Sequence, residues 1–176
     1  MTTKSNTGKR TDRIFTWRYI LVLVCVGLVC IVLFNFILQI SFVLGSSMEP
    51  TLKTGNLVLG NRLSQKYERM DIVTAKVDDQ LLVKRIIALP GETVRIVDGY
   101  IYVNGEKIDD ITDEPMSMKN VYYGVRELTL GEDEYFLVGD NRDDSTDSRT
   151  WGIGPVKEDQ ITAKVMILLL PPKGIR

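Results

Sequence analysis

From Tyr19 to Leu44 the chain carries no charged side chain, and Ile20–Ile40 alone supplies 21 positions of mostly apolar character. A helix of that length spans a hydrocarbon core of roughly 30 Å, so residues 19–43 are expected to form one transmembrane helix. A cleavable secretory leader is the competing reading, because a basic start precedes the run and the small residues Gly45-Ser46-Ser47 follow it. The run is too long for that, since a leader core takes about 7–15 residues.

The flanks orient the span. Residues 1–18 hold Lys4, Lys9, Arg10, Arg13 and Arg18 against Asp12, a net +4 in a chain whose formal charge is −1. Positive charge before the helix and its scarcity just after it place residues 1–18 in the cytoplasm. Residues 44–176 then lie on the far side of the cell membrane, as the extracytoplasmic part of a single-pass protein with the lipid bilayer as partner. Trp17 and Tyr19 would anchor the inner interface. Asn35 and Gln39, four residues apart, read as polar residues tolerated near the outer helix end rather than as a helix–helix contact. A basic head on an acidic body suits membrane orientation and argues against nucleic-acid binding.

Beyond the span there is room for one domain with a sizeable core. The chain contains no histidine, which removes Ser-His-Asp triads, Cys-His dyads and the usual zinc sites. Cys25 and Cys30 both sit in the apolar run, so no disulfide framework supports the domain. Neither a cofactor nor a metal is expected. Strands are expected over Asn56–Asn61, Asp71–Lys76, Gln80–Leu89, Thr93–Val97, Tyr100–Val103, a pair within Val121–Leu130, Glu134–Val138, and a closing strand Ile161–Leu170. Asp98-Gly99 between two alternating runs predicts a two-residue hairpin turn. Asp109–Lys119, acidic and carrying Pro115, reads as a mobile surface loop. The fold class expected is mainly β: an antiparallel sheet domain preceded by one transmembrane helix.

Three segments carry candidate chemistry. The first, Gly45-Ser46-Ser47-Met48-Glu49-Pro50-Thr51-Leu52, is by itself an ordinary Ser-rich, Pro-capped connector. The second places Leu82, Lys84, Ile86 and Ala88 on one strand face and Leu81, Val83, Arg85 and Ile87 on the other. From that alternation alone, Lys84 either snorkels from an edge strand with its ammonium wet or is lodged among apolar neighbours. The third, Gly139–Arg149, is almost wholly polar, so an ordered form needs internal hydrogen bonds. Its aspartates lack the glycine and terminal glutamate of a calcium loop, and Arg142 and Arg149 oppose a cation, so Asp–Arg pairing is the better account. A lysine becomes a base near neutral pH when burial lowers its pKa, and Lys84 has the setting for it. Ser47 as nucleophile with Lys84 as base would perform acyl transfer.

In these residues the chain resembles type I signal peptidases, the membrane-bound serine endopeptidases that remove signal peptides from exported preproteins. The resemblance rests on the anchor, Ser47–Leu52 with Gly55 and Val58, Lys84-Arg85-Ile86-Ile87-Ala88-Leu89-Pro90-Gly91-Glu92, and Gly139-Asp140-Asn141-Arg142 through Asp147-Ser148-Arg149. It implies a Ser47–Lys84 dyad and preprotein substrates with small residues near the cleavage site. It also implies that Ser145 orients the lysine amine, that Asp147 and Arg149 support the site, and that Asp140 pairs with Arg85. Some members carry a serine where this chain has Gly45, so the Ser47 N–H and Gly45 are left as the oxyanion candidates. The glycine, the single anchor and the small domain are more similar to the Gram-positive branch.

An extended substrate could pair with strand edges near Leu81–Val83 and the segment before Ser47. Val43, Leu44, Met48, Leu82 and Val83 would line its small apolar pockets. Two rivals stand beside this reading. A Ser-Lys autoprotease of the repressor type lacks a DNA-binding segment here, and a non-catalytic membrane-anchored β domain leaves Lys84 without a reason.

Overall fold

The structure, a computed structural model, describes residues 8–64, 66–108, 111, 114–119, 121–170 and 173–174. Helix α1, Gly8–Val32, runs on into a π-helical stretch Leu33–Ile37. Within it Thr16–Ile37 is long and apolar enough to cross a membrane, with mean hydropathy 3.1, and Thr16–Val32 are exposed. The helix stops short of the Val43 limit expected from the apolar run. The Asn35 side-chain amide donates to the Ile31 carbonyl at 2.8 Å, a local bond that competes with the backbone ladder where the helix loosens. The chain divides at Ile37 into this helical unit and a β unit that begins at Leu38.

The β unit opens with β1, Leu38–Phe42, followed by β2 (Leu57–Asn61), β3 (Ile72–Val77), β4 (Gln80–Ala88), β5 (Thr93–Val97) and β6 (Tyr100–Val103). Then come the short β7 (Glu106–Lys107) and β8 (Leu128–Thr129), β9 (Glu134–Val138), β10 (Val156–Lys157), the long β11 (Ile161–Leu170) and β12 (Lys173–Gly174). The larger sheet runs β1-β2-β11-β3-β4-β9-β10 with β12 on β11, and the smaller runs β7-β6-β5-β8. Every pairing among the described residues is antiparallel.

Several expectations change here. Gln39 is not a helical residue: it lies in β1, buried, with its amide donating to Ser41 Oγ and Thr74 Oγ1, both at 3.1 Å. Alternation in β1 turns Gln39 and Ser41 inward and leaves Ile40 and Phe42 exposed, so composition alone misread this stretch as membrane helix. The pair expected within Val121–Leu130 reduces to β8. The described part of the acidic loop is not all surface, because Met116 is buried in the core. The remaining expected strands form within a residue or two of their predicted ends. The Asp98-Gly99 turn has positive φ at both positions, 50° and 81°, as a tight hairpin between Val97 and Tyr100 requires.

Three apolar clusters form the interior of the β unit. Ile87, Ala88, Val94, Ile101, Phe136 and Val138 join the two sheets. Val73, Ala75, Ile86 and Leu137 pack on the β3–β4–β9 face. Met48, Leu52, Val58, Ile72 and Val165 fix the segment that carries Ser47. Phe136 is wholly buried, so Phe136→Ala is expected to cost about 3–5 kcal/mol. Chemical denaturation of the detergent-solubilised chain, read by near-ultraviolet circular dichroism, measures it.

Candidate active site

Ser47 sits in a turn held from both directions. Behind it Met48 and Leu52 are buried, and the Leu52 N–H donates to the Met48 carbonyl. In front, Gly45 adopts φ +91°, a backbone conformation that a side-chain-bearing residue reaches only with strain. The Gly45 carbonyl accepts from Thr54 Oγ1 at 2.9 Å. On the far flank, the Ser47 carbonyl accepts the Asn141 N–H at 3.0 Å, Asn141 Nδ2 donates to the Ser46 carbonyl, and the Ser46 hydroxyl donates to Asp144. Among the described residues the Ser47 N–H has no acceptor.

Lys84 lies within β4, between β3 and β9 in the sheet order, and is 4% exposed. The alternative of a wet ammonium fails, although the β9 pairing begins only at Arg85. Lys84 Nζ donates to Ser47 Oγ at 2.6 Å. Burial lowers the Lys84 pKa, and Arg149 pushes the same way, against the upward pull of Asp147, Asp140 and Asp144. Two of those carboxylates are already held by arginines. Asp140 binds Arg85 through two bonds of 2.8 and 2.7 Å, and Asp147 binds Arg149 through two bonds of 2.8 Å each. All four are buried. Arg85 and Lys84, neighbours in β4, thus use opposite strand faces for separate tasks.

Asp147 organises the polar loop. Its Oδ2 accepts the Gly139 N–H at 3.0 Å and the Ser145 hydroxyl at 2.6 Å besides Arg149. Burial alone would raise the Asp147 carboxyl, but the bonded Arg149 cation and these donors hold it below the usual carboxylate range. Ser145 therefore spends its hydrogen on Asp147, and no hydrogen bond joins it to Lys84. Met116 Sδ also accepts from Arg149 Nη1 at 3.0 Å. Among the described residues no group of His, Cys, Asp or Glu could hold a metal.

Val43, Leu44, Met48, Leu82 and Val83 all line one cleft of about 210 Å³ together with Ser47 and Lys84. Sequence reasoning missed Phe42 in the same wall, because it was assigned to the helix, and gave Leu81 as a substrate-pairing edge but not as lining. It also missed Gly139. A Cβ there would lie 2.2 Å from Ser145 Oγ and 2.5 Å from the Ser47 carbonyl oxygen, so only glycine lets the loop close on the serine. Its place at the end of a predicted strand, opening the polar loop, was the only available signal.

Comparison with known proteins shows the family. Residues 16–170 match the family described as signal peptidase, peptidase S26, and the chain belongs to that family. Signal peptidase I S of Bacillus subtilis (strain 168) is 32% identical over 98% of this chain and 98% of its own length. Signal peptidase I V of the same organism is 37% identical over 69% of this chain and 79% of its own. A crystal structure of a signal peptidase I from Enterococcus faecalis V583 aligns at 30% identity and a TM-score of 0.47, covering 57% of this chain and 97% of that one. The chain is accordingly a hydrolase of the signal peptidase I type, acting on preproteins that bear signal peptides.

Two stability consequences follow from the buried charges. The folded Lys84 pKa lies below its unfolded value of about 10.4, so between the two the unfolded chain binds more protons and stability rises with pH. Below that window the ammonium destabilises the fold in full. Lys84→Met should therefore raise the thermal midpoint at neutral pH, followed by circular dichroism. Asp140→Ala strands the Arg85 guanidinium and should cost about 3–5 kcal/mol in the same assay.

Proposed function

We propose that the chain cleaves signal peptides through a Ser47–Lys84 dyad. The observation that carries this is the 2.6 Å contact between Nζ and Oγ, made by a lysine that is buried and lowered in pKa. With the amine neutral, the contact reverses and the hydroxyl donates. Ser47 Oγ then attacks the scissile carbonyl carbon as its proton passes to Lys84 Nζ. The Ser47 N–H, which has no acceptor among the described residues, serves as donor to the oxygen that becomes negative. Gly45 contributes the backbone turn that presents this N–H rather than a hydroxyl. Breaking the carbon–nitrogen bond returns the proton from Lys84 to the leaving amine. Water, its proton taken by the Lys84 amine, then adds to the acyl carbon, and cleavage of the carbon–Oγ bond returns that proton from Lys84 to Ser47 as the acid product leaves.

Ser145, Asp147, Arg149, Arg85 and Asp140 act as positioning residues. Asp147 collects the loop, Arg149 cancels much of its charge, and the Arg85–Asp140 pair fixes β4 to the loop's first turn. Substrate enters extended. In β4 the β9 pairing covers only Arg85–Ala88, so among the described residues Leu81–Lys84 keep a free edge on that side, beside the cleft. Its small volume favours Ala-like side chains. The helix would anchor the protein in the cell membrane with residues 1–18 in the cytoplasm and the β unit outside, supported by the basic head and the hydropathy of Thr16–Ile37.

Ser47→Ala and Lys84→Met should each remove at least about 1,000-fold of kcat on a preprotein with a small-x-small site while the fold is kept. Cleavage retained by either would defeat the dyad. The kcat/KM profile should rise with pH to a plateau as Lys84 deprotonates. Asp147→Asn removes the largest upward influence on that amine, so the rising limb should move to lower pH. A limb that moves upward, or stays, contradicts the charge assignment. Val83→Phe should narrow the choice of cleavage sites, read by sequencing the new N-termini.

A further inference from the structure

A second cavity, of about 470 Å³, borders the polar loop. It shares no lining residue with the apolar cleft: one contains Ser47 and Lys84, the other Asp144 and Ser145. Asp144 bonds the nucleophile's turn by accepting the Ser46 hydroxyl, and Ser145 crowds Gly139, the residue that closes on the Ser47 carbonyl. The smaller cleft thus contains the serine, and the larger cavity lies on the flank where Asp144 bonds the serine's turn. The outer wall of the larger one is aromatic. Tyr122 and Trp151 meet edge to face with centroids 4.4 Å apart, and they are 56% and 71% exposed. The tyrosine side of this wall is anchored even so. The Tyr122 and Tyr123 N–H groups both donate to the Arg149 carbonyl, tying this wall to the loop that contains Asp147.

Building on the dyad, we propose that this cavity binds the polypeptide on the carboxyl side of the scissile bond, the first residues of the mature protein, and favours aromatic side chains there. A peptide laid in the apolar cleft up to Ser47 must continue away from it after the cleaved bond. The flank at Asp144 and Ser145 borders the Ser46–Ser47 turn outside the cleft and offers that continuation a ready cavity. An aromatic side chain arriving there finds two exposed rings already packed on each other, one of them on a backbone held by Arg149, so little ordering is needed to stack on them. The aromatic wall is thus a specificity element for the leaving chain rather than part of the acyl-transfer machinery.

The test uses two preproteins with one signal peptide, differing only in residues two and three of the mature part, Tyr-Tyr in one and Gly-Gly in the other. Full-length enzyme in detergent is the catalyst. The wild type should favour the Tyr-Tyr substrate by about 2- to 10-fold in kcat/KM, expressed in KM, the scale of a stacking contact. Trp151→Ala should bring that ratio towards one, and Trp151→Phe should restore most of it. Because both substrates see the same active fraction, partial misfolding cannot alter the ratio. A wild-type ratio of one, or a ratio unmoved by Trp151→Ala, overturns the inference. Ser47→Ala run alongside reports on the dyad separately: cleavage surviving there defeats the dyad, whatever the ratio shows.

Discussion

An amine has been taken out of water beside a hydroxyl, and nearly everything else in the β unit serves that act. A buried ammonium invites a carboxylate partner, which would fix the charge and end its use as a base. Here the two buried carboxylates near it are occupied. Asp140 is held in a two-bond fork by Arg85 and Asp147 by Arg149, so Lys84 is left with Ser47 as its hydrogen-bond partner. The arginines matter as absorbers of negative charge. Without them the same loop would supply counter-ions to the lysine and raise its pKa.

That arrangement explains why the polar loop is so densely bonded. Gly139, Ser145 and Arg149 all converge on one carboxylate, and Asn141 and Asp144 reach across to the backbone and hydroxyl of Ser46 and Ser47. The proposed nucleophile and base come from segments distant in the chain. The loop is what sets their separation, since it is bonded to the serine turn on one side and to β4 through Arg85 on the other.

Much of this was legible in the residues. The absence of histidine and the lysine on an apolar strand narrowed the chemistry before any coordinates, and local alternation located β2 to β6, β9 and β11. What could not be read was set by tertiary context. Gln39 looked like a tolerated membrane residue because its hydrogen-bond partner Thr74 lies in β3, and no local pattern reports a contact over that separation. Whether Lys84 was wet or dry depended on the Ser47 turn meeting its amine, a contact between segments far apart in sequence. Met116 seemed part of a surface loop because acidic neighbours mask the one side chain that packs inward. Gly139 carried no sequence mark of its own, since its role is to be absent where Ser145 and the Ser47 carbonyl need room.

The half-covered state of β4 has a further consequence for what the enzyme leaves alone. An edge recognised through main-chain groups accepts only a segment whose own amides and carbonyls are unengaged. Helices and the interior strands of folded domains have none to offer. Under the proposed reaction, conformation becomes a selection criterion alongside side-chain size. A folded neighbour on the same membrane surface is spared because its backbone is already spoken for, even where its sequence contains an acceptable pair of small residues.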